Sequence, residues 1–113
     1  MVKSCSAVRS PDAAFVAKGR LPDGWDEGDD KFINLAPDFV IEICSKTDSL
    51  ETLKAKMQEY IDNGVRLGWL IDRKNRQALV YRADGTITQY PATATLSGEE
   101  VVPGFALVLE RLL

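Results

Sequence analysis

The stretch from Pro37 to Asp72 limits the possible folds more than any other part of this chain. It opens with Phe39-Val40-Ile41-Glu42-Ile43-Cys44. In an extended strand, alternation puts Phe39, Ile41 and Ile43 on one face and Asp38, Val40, Glu42 and Cys44 on the other. A helix follows, expected over about residues 49–63. Asp48 reads as its cap, with Glu51 as the capping-box partner. Leu50, Leu53, Met57, Tyr60 and Ile61 recur at helical spacing, and Asn63-Gly64 ends the run. Leu67 to Ile71 is a second apolar strand, stopped by Asp72. Two strands joined by a helix in one sheet run parallel, with a right-handed crossover.

The flanking residues add strands of another kind. Pro11-Asp12 opens a short apolar run, Ala13 to Ala17. Gln77 to Arg82 alternates, Asp84-Gly85 is a hairpin signal, and Thr86 to Tyr90 is the returning strand. Pro91 to Glu100 reads as a loop, Pro103-Gly104 as a turn, and Phe105 to Leu113 as an apolar tail. The expected fold class is α/β, a mixed β-sheet with one main helix, in a single domain over residues 1–113. The helix stripe is expected to pack on the face of Phe39, Ile41 and Ile43. One helix covers one face only, so the other is assigned to a preceding element or a second copy. A twofold homodimer is therefore expected.

Composition narrows the chemistry. The chain has 14 lysines and arginines against 17 aspartates and glutamates, a net charge of -3, and no histidine. The first count argues against a broad basic face for nucleic acid and leaves a local patch open. The second removes histidine triads and histidine metal sites. Cys5 and Cys44 are too few for a disulfide framework or a structural zinc site, and Cys44 reads as a small buried thiol. The loop from Gly19 to Lys31 carries Asp23, Asp26, Glu27, Asp29 and Asp30. Their spacing does not match a calcium loop, so it reads as a solvated acidic loop. Neither a signal-like start nor a membrane span is apparent, so a cytoplasmic protein is expected.

Three positions could carry chemistry together: Asp12 at the start of one strand, Glu42 inside the next, and a lysine on the following helix. Two carboxylates from neighbouring strands can hold a hard divalent cation that keeps several waters. An adjacent ammonium can orient a water or stabilise charge on a phosphorane. From spacing alone, a structural ion pair between Glu42 and a helix lysine is the other reading.

The runs RSPDAAFV (Arg9 to Val16), PDFVIEICS (Pro37 to Ser45), AKMQEYIDNGVRLGWLID (Ala55 to Asp72), VYRADG (Val80 to Gly85) and LSGEEVVPGFALVL (Leu96 to Leu109) together resemble a known bacterial family. It is the "putative restriction endonuclease" family within the PD-(D/E)XK nuclease superfamily. The resemblance implies a restriction-endonuclease-like core and hydrolysis of DNA with Mg²⁺ or Mn²⁺. DNA as partner comes from the resemblance, not from charge. It places the two carboxylates at Asp12 and Glu42. The superfamily's lysine usually stands two residues after the glutamate, where this chain has Cys44. In this family a helix lysine four residues before a tyrosine takes its place, which maps to Lys56 before Tyr60; Lys46 and Lys54 are the alternatives. Asp38 is implied as a metal ligand or as a supporting carboxylate.

Family members usually carry further sequence before the RSPD run, whereas this chain begins eight residues before Arg9 and reads as N-terminally shortened. A second reading follows: a catalytically silent nuclease-fold module acting in dimerisation or partner binding. If the helix packs on the Phe39 face, Lys56 reaches Glu42 only around the strand's edge or end. Once there, it is expected to lower the pKa of Glu42.

Overall fold

The computed structural model describes residues 11–16 and 37–113. Cys5 and the acidic loop from Gly19 to Lys31 lie outside the described residues. The strands are β1 (Ala13–Phe15), β2 (Phe39–Cys44), β3 (Leu67–Asp72), β4 (Gln77–Arg82), β5 (Ile87–Pro91), β6 (Thr95–Ser97) and β7 (Ala106–Val108). The helix α1 spans Leu50–Asp62, and a short 3-10 turn closes the chain over Leu109–Leu112. One sheet has the order β1-β2-β3-β4-β5, and β6 pairs with β7 in a separate hairpin. β2 and β3 are parallel, with Phe39 against Leu67 and Cys44 against Asp72. The other pairings are antiparallel. This is the mixed sheet with one main helix that the sequence implies.

The side on which α1 packs corrects the sequence reading. Met57, the fully buried residue of the helix, sits among Val40, Cys44, Val65, Leu70, Leu79 and Tyr81, flanked by Leu50, Leu53, Tyr60 and Ile61. Thus α1 lies on the face of Val40, Glu42 and Cys44, not on that of Phe39, Ile41 and Ile43. Gly68 of β3 makes the close approach possible. A Cβ built there would lie 2.5 Å from the Met57 methyl carbon. The helix cap also differs: Ser49 Oγ accepts from the Thr52 N–H at 3.3 Å, so Ser49 is the N-cap. Asp48 instead turns back, accepting from the Ser45 N–H at 3.0 Å and the Ser45 hydroxyl at 2.9 Å.

The opposite face is covered by the chain's own C-terminal residues. Phe39, Trp69, Ile71, Ala78 and Val80 pack with Leu96 and Leu109, and Phe105 stacks on Trp69 at 5.5 Å between ring centroids. Arg82 of β4 ties this layer down, gripping the Glu99 carboxylate through Nε (3.0 and 2.9 Å) and Nη2 (2.7 Å). Gly98 is required in the return loop, because an added Cβ would collide with the Val102 carbonyl oxygen. The uncovered sheet face behind the dimer expectation is therefore filled within the chain. Among the described residues no helix is long and apolar enough to cross a membrane.

Met57 is the packing centre of the helix layer, whereas Leu53 is only half-buried. Met57→Ala should destabilise the protein by about 2–5 kcal/mol in urea denaturation, the range for a fully buried large side chain. Leu53→Ala should cost less. Equal small losses for both would contradict this packing.

Candidate active site

Glu42 stands in the middle of β2 with 3% of its surface exposed. A buried carboxylate needs partners, and α1 brings two from residues one turn apart. Lys56 Nζ lies 3.0 Å from Glu42 Oε1, and the Tyr60 hydroxyl donates to the same oxygen at 3.0 Å. The Lys56 ammonium also lies 5.9 Å from the centre of the Tyr60 ring. Because the helix is on the Glu42 side of the sheet, Lys56 reaches the carboxylate directly and not around an edge. Helical periodicity assigns Tyr60 only to the apolar stripe. Its ring is indeed packed with that layer, and nothing in the periodicity reveals where a phenolic oxygen ends.

Asp12 comes to the same place from β1. Ala13 pairs with Ile41, so one further step of the antiparallel register sets Asp12 opposite Glu42. Opposite residues share a face, with Cβ atoms about 4.5–5.5 Å apart. The Asp12 carboxylate is anchored by the Ile43 N–H, which donates to Oδ2 at 2.6 Å. Asp12 is exposed where Glu42 is buried.

Burial pushes the Glu42 carboxyl up; the Lys56 ammonium and Tyr60 hydroxyl pull it down, and the Asp12 charge pushes it up again. The net direction is above the ordinary value of 4.5. Lysine thus acts in the expected, lowering sense but does not outweigh burial.

The other candidates lie elsewhere. Asp38 precedes Glu42 by four residues, about 13 Å along an extended strand. It is buried, its Oδ1 lies 3.7 Å from Arg66 Nη1, and its carbonyl accepts from the Arg66 and Leu67 N–H groups. The structure does not bring it to Glu42, which removes it from the implied ligand set. Lys54 pairs with Glu51 at 3.6 Å, and Lys46 is exposed in the turn after β2. Cys44, at the superfamily's lysine position, is a core residue beside α1. Burial raises its thiol above the ordinary range. Among the described residues no group of three or more His, Cys, Asp or Glu side chains is placed to hold a metal ion.

The raised Glu42 has a measurable consequence. The folded chain keeps this proton to a higher pH than the unfolded chain, so stability falls as pH rises from about 4.5 through the raised value. Asp72 acts in the opposite sense and lower. Burial would raise it, but hydrogen bonds from Asn75 and Gln77 hold it below 3.8, so its contribution is lost as pH falls through that depressed value. Glu42→Gln should flatten the decline above pH 4.5 and leave the acid limb unchanged. Urea denaturation at a series of pH values checks this; a decline of unchanged slope contradicts it.

Comparison with known proteins bears on the fold and the family. The chain is similar to the crystal structure of "a putative nuclease belonging to DUF820" from Anabaena variabilis ATCC 29413. The match has a TM-score of 0.60 and 24% sequence identity, covering 74% of this chain and 51% of that one. That likeness establishes the fold, and the chain spans about half the length of that protein. No curated protein matches the chain. Residues 4–110 match the sequence profile of the Uma2 family, described as "Putative restriction endonuclease". With nearly its whole length matched, this chain belongs to the Uma2 family.

Proposed function

We propose that the chain carries the active centre of a Mg²⁺-dependent endonuclease that hydrolyses phosphodiester bonds in DNA. One observation carries the reading: the Lys56 ammonium meets the buried Glu42 carboxylate at 3.0 Å, on the sheet face where Asp12 stands opposite. That is the lysine-and-two-carboxylate set the family resemblance implies, with the lysine delivered by a helix.

The donor set fits a hard cation. Asp12 and Glu42 offer oxygen only, and Mg²⁺ takes one or two carboxylates while keeping waters; Mn²⁺ suits the same ligands. The Cys44 thiol donates to the Ser45 carbonyl at 3.6 Å and is packed into the core, so it does not compete as a soft ligand. When bound, the cation supplies a water of lowered pKa and offsets charge on the pentacoordinate phosphorus. The remaining work belongs to the side chains. Lys56 holds an ammonium beside the carboxylate pair, where it can orient the attacking water or hold a non-bridging phosphate oxygen. Tyr60 fixes the Glu42 carboxylate through its hydroxyl. The Ile43 N–H fixes Asp12 through one carboxylate oxygen, Oδ2.

The second reading, a silent nuclease-fold module that binds a partner or dimerises, is favoured by one feature. Glu42 Oε1 is already satisfied by Lys56 and Tyr60, as in a structural ion pair. Cleavage separates the two. With Mg²⁺ or Mn²⁺ the wild type should nick supercoiled plasmid, and Glu42→Ala should lose both cleavage and calorimetric metal binding. Lys56→Ala should cut the rate by about 10²–10³-fold, the usual cost of removing a charge-stabilising donor, with metal binding largely kept. Tyr60→Phe should weaken metal binding by about 10–100-fold, as loss of a ligand's hydrogen-bond partner does. A wild type that cuts no plasmid with either metal sinks the nuclease reading.

A further inference from the structure

We propose that Lys46, Arg73, Lys74 and Arg76 form the surface that holds the phosphate backbone of DNA beside the Glu42 site. The choice of ligand rests on the nuclease reading; the surface itself is argued from topology and charge. β2 and β3 run parallel, so the turn after β2, which carries Lys46, and the turn after β3, which carries Arg73, Lys74 and Arg76, lie at the same end of the sheet. They are tied together where the Arg73 N–H donates to the Cys44 carbonyl at 3.1 Å. Glu42 is two residues before Cys44, about 7 Å along the strand. A backbone lying across these turns passes close to the carboxylates.

All four side chains are exposed, and among the described residues none of them forms an ion pair. The acids at this end are otherwise engaged. Asp72 is buried and bound by Asn75 and Gln77, and Asp48 accepts two hydrogen bonds from Ser45. At the start of α1 the exposed Glu51 is paired with Lys54 at 3.6 Å, and the other helix acids, Glu59 and Asp62, lie in its last turn. Among the described residues, this end of the sheet therefore presents four basic side chains without an ion-pair partner, although the net charge of the whole chain is -3.

Arg76 adds an independent sign. Its φ is 51°, a left-handed conformation that glycine or asparagine would adopt at less cost. A strained long cation at a turn tip is the kind of position where the side chain serves a ligand at the backbone's expense. Fold and binding therefore make opposite demands on this residue.

The test uses the full chain and a short fluorescein-labelled DNA duplex, read by anisotropy in EDTA over a series of salt concentrations. Wild type should bind with a steep salt dependence. In the variant Lys46→Ala/Arg73→Ala/Lys74→Ala/Arg76→Gly, the log–log slope should become shallower by about 3 to 4, near 0.9 for each phosphate left without its cation. Arg76→Gly alone should shift the slope by about 0.9 while its melting temperature holds or rises. Absence of wild-type binding, or a fourfold variant with unchanged affinity and slope, overturns the proposal. Binding without cleavage keeps it and sinks the nuclease reading. Cleavage by the wild type with unchanged binding in the fourfold variant does the reverse.

Discussion

The Glu42 carboxylate, buried inside an apolar strand, is the constraint around which the helix layer is arranged. It can be kept there only if another element supplies charge and a hydrogen bond. Both come from α1, through Lys56 and Tyr60. For both to arrive, the helix must lie on the Val40–Glu42–Cys44 side of the sheet with this stripe turned inward. The same rotation drives Met57 onto the sheet, where Gly68 leaves room for it. Packing and electrostatics thus choose the same helix position. A buried pair of this kind need not stabilise the fold more than an apolar pair would, but loss of one partner costs about 3–5 kcal/mol. Its contribution lies in which packing is allowed.

That choice is hidden from a reading based on periodicity. The succession of elements from β2 to β5, the parallel pairing of β2 with β3 and the helix at Leu50–Asp62 are legible, because alternation and helical spacing are strong there. The side on which α1 packs is not. β2 is covered on both faces, as parallel strands generally are. Phe39, Ile41 and Ile43 form the more apolar face, so hydrophobicity alone assigns the helix to them. The deciding residue is the charged one. A glutamate that must be buried draws to its own face the helix that bears its cation.

The cover on the other face is illegible for a different reason. β6 and β7 are three residues each, too short for alternation to register, and they are separated by glycine- and proline-containing turns. What fixes them is long-range: Phe105 on Trp69, Leu96 and Leu109 in the core, and the grip of Arg82 on Glu99. Of the site, Asp12 and Glu42 can be named because each marks a strand, and Lys56 because the family resemblance moves the lysine onto a helix. Asp38 shares the alternation of Glu42, but alternation says nothing about distance along a strand. Tyr60 has an apolar ring and a polar tip, so a hydropathy pattern records only its ring.

The proposed function gives the Lys56–Glu42 pair a second meaning. Burial makes Glu42 costly to ionise, and the facing Asp12 charge adds to that cost. Lys56 relieves this through its ammonium at Oε1. On the proposed function, Asp12 and Glu42 would hold a divalent cation whose charge would share that neutralisation, and the carboxylate would then hold the Lys56 ammonium less tightly. The lysine would then have charge to offer a phosphate, on a stem long enough to turn toward it without moving the helix. Mounting the lysine on α1 fits that exchange. A lysine at the Cys44 position would need room in a packed layer, whereas Lys56 lies on the flank of the apolar stripe with 17% of its side chain exposed. The ion pair that fixes the side of the helix would therefore also keep the site assembled, with its cationic group in reserve, until metal and DNA arrive.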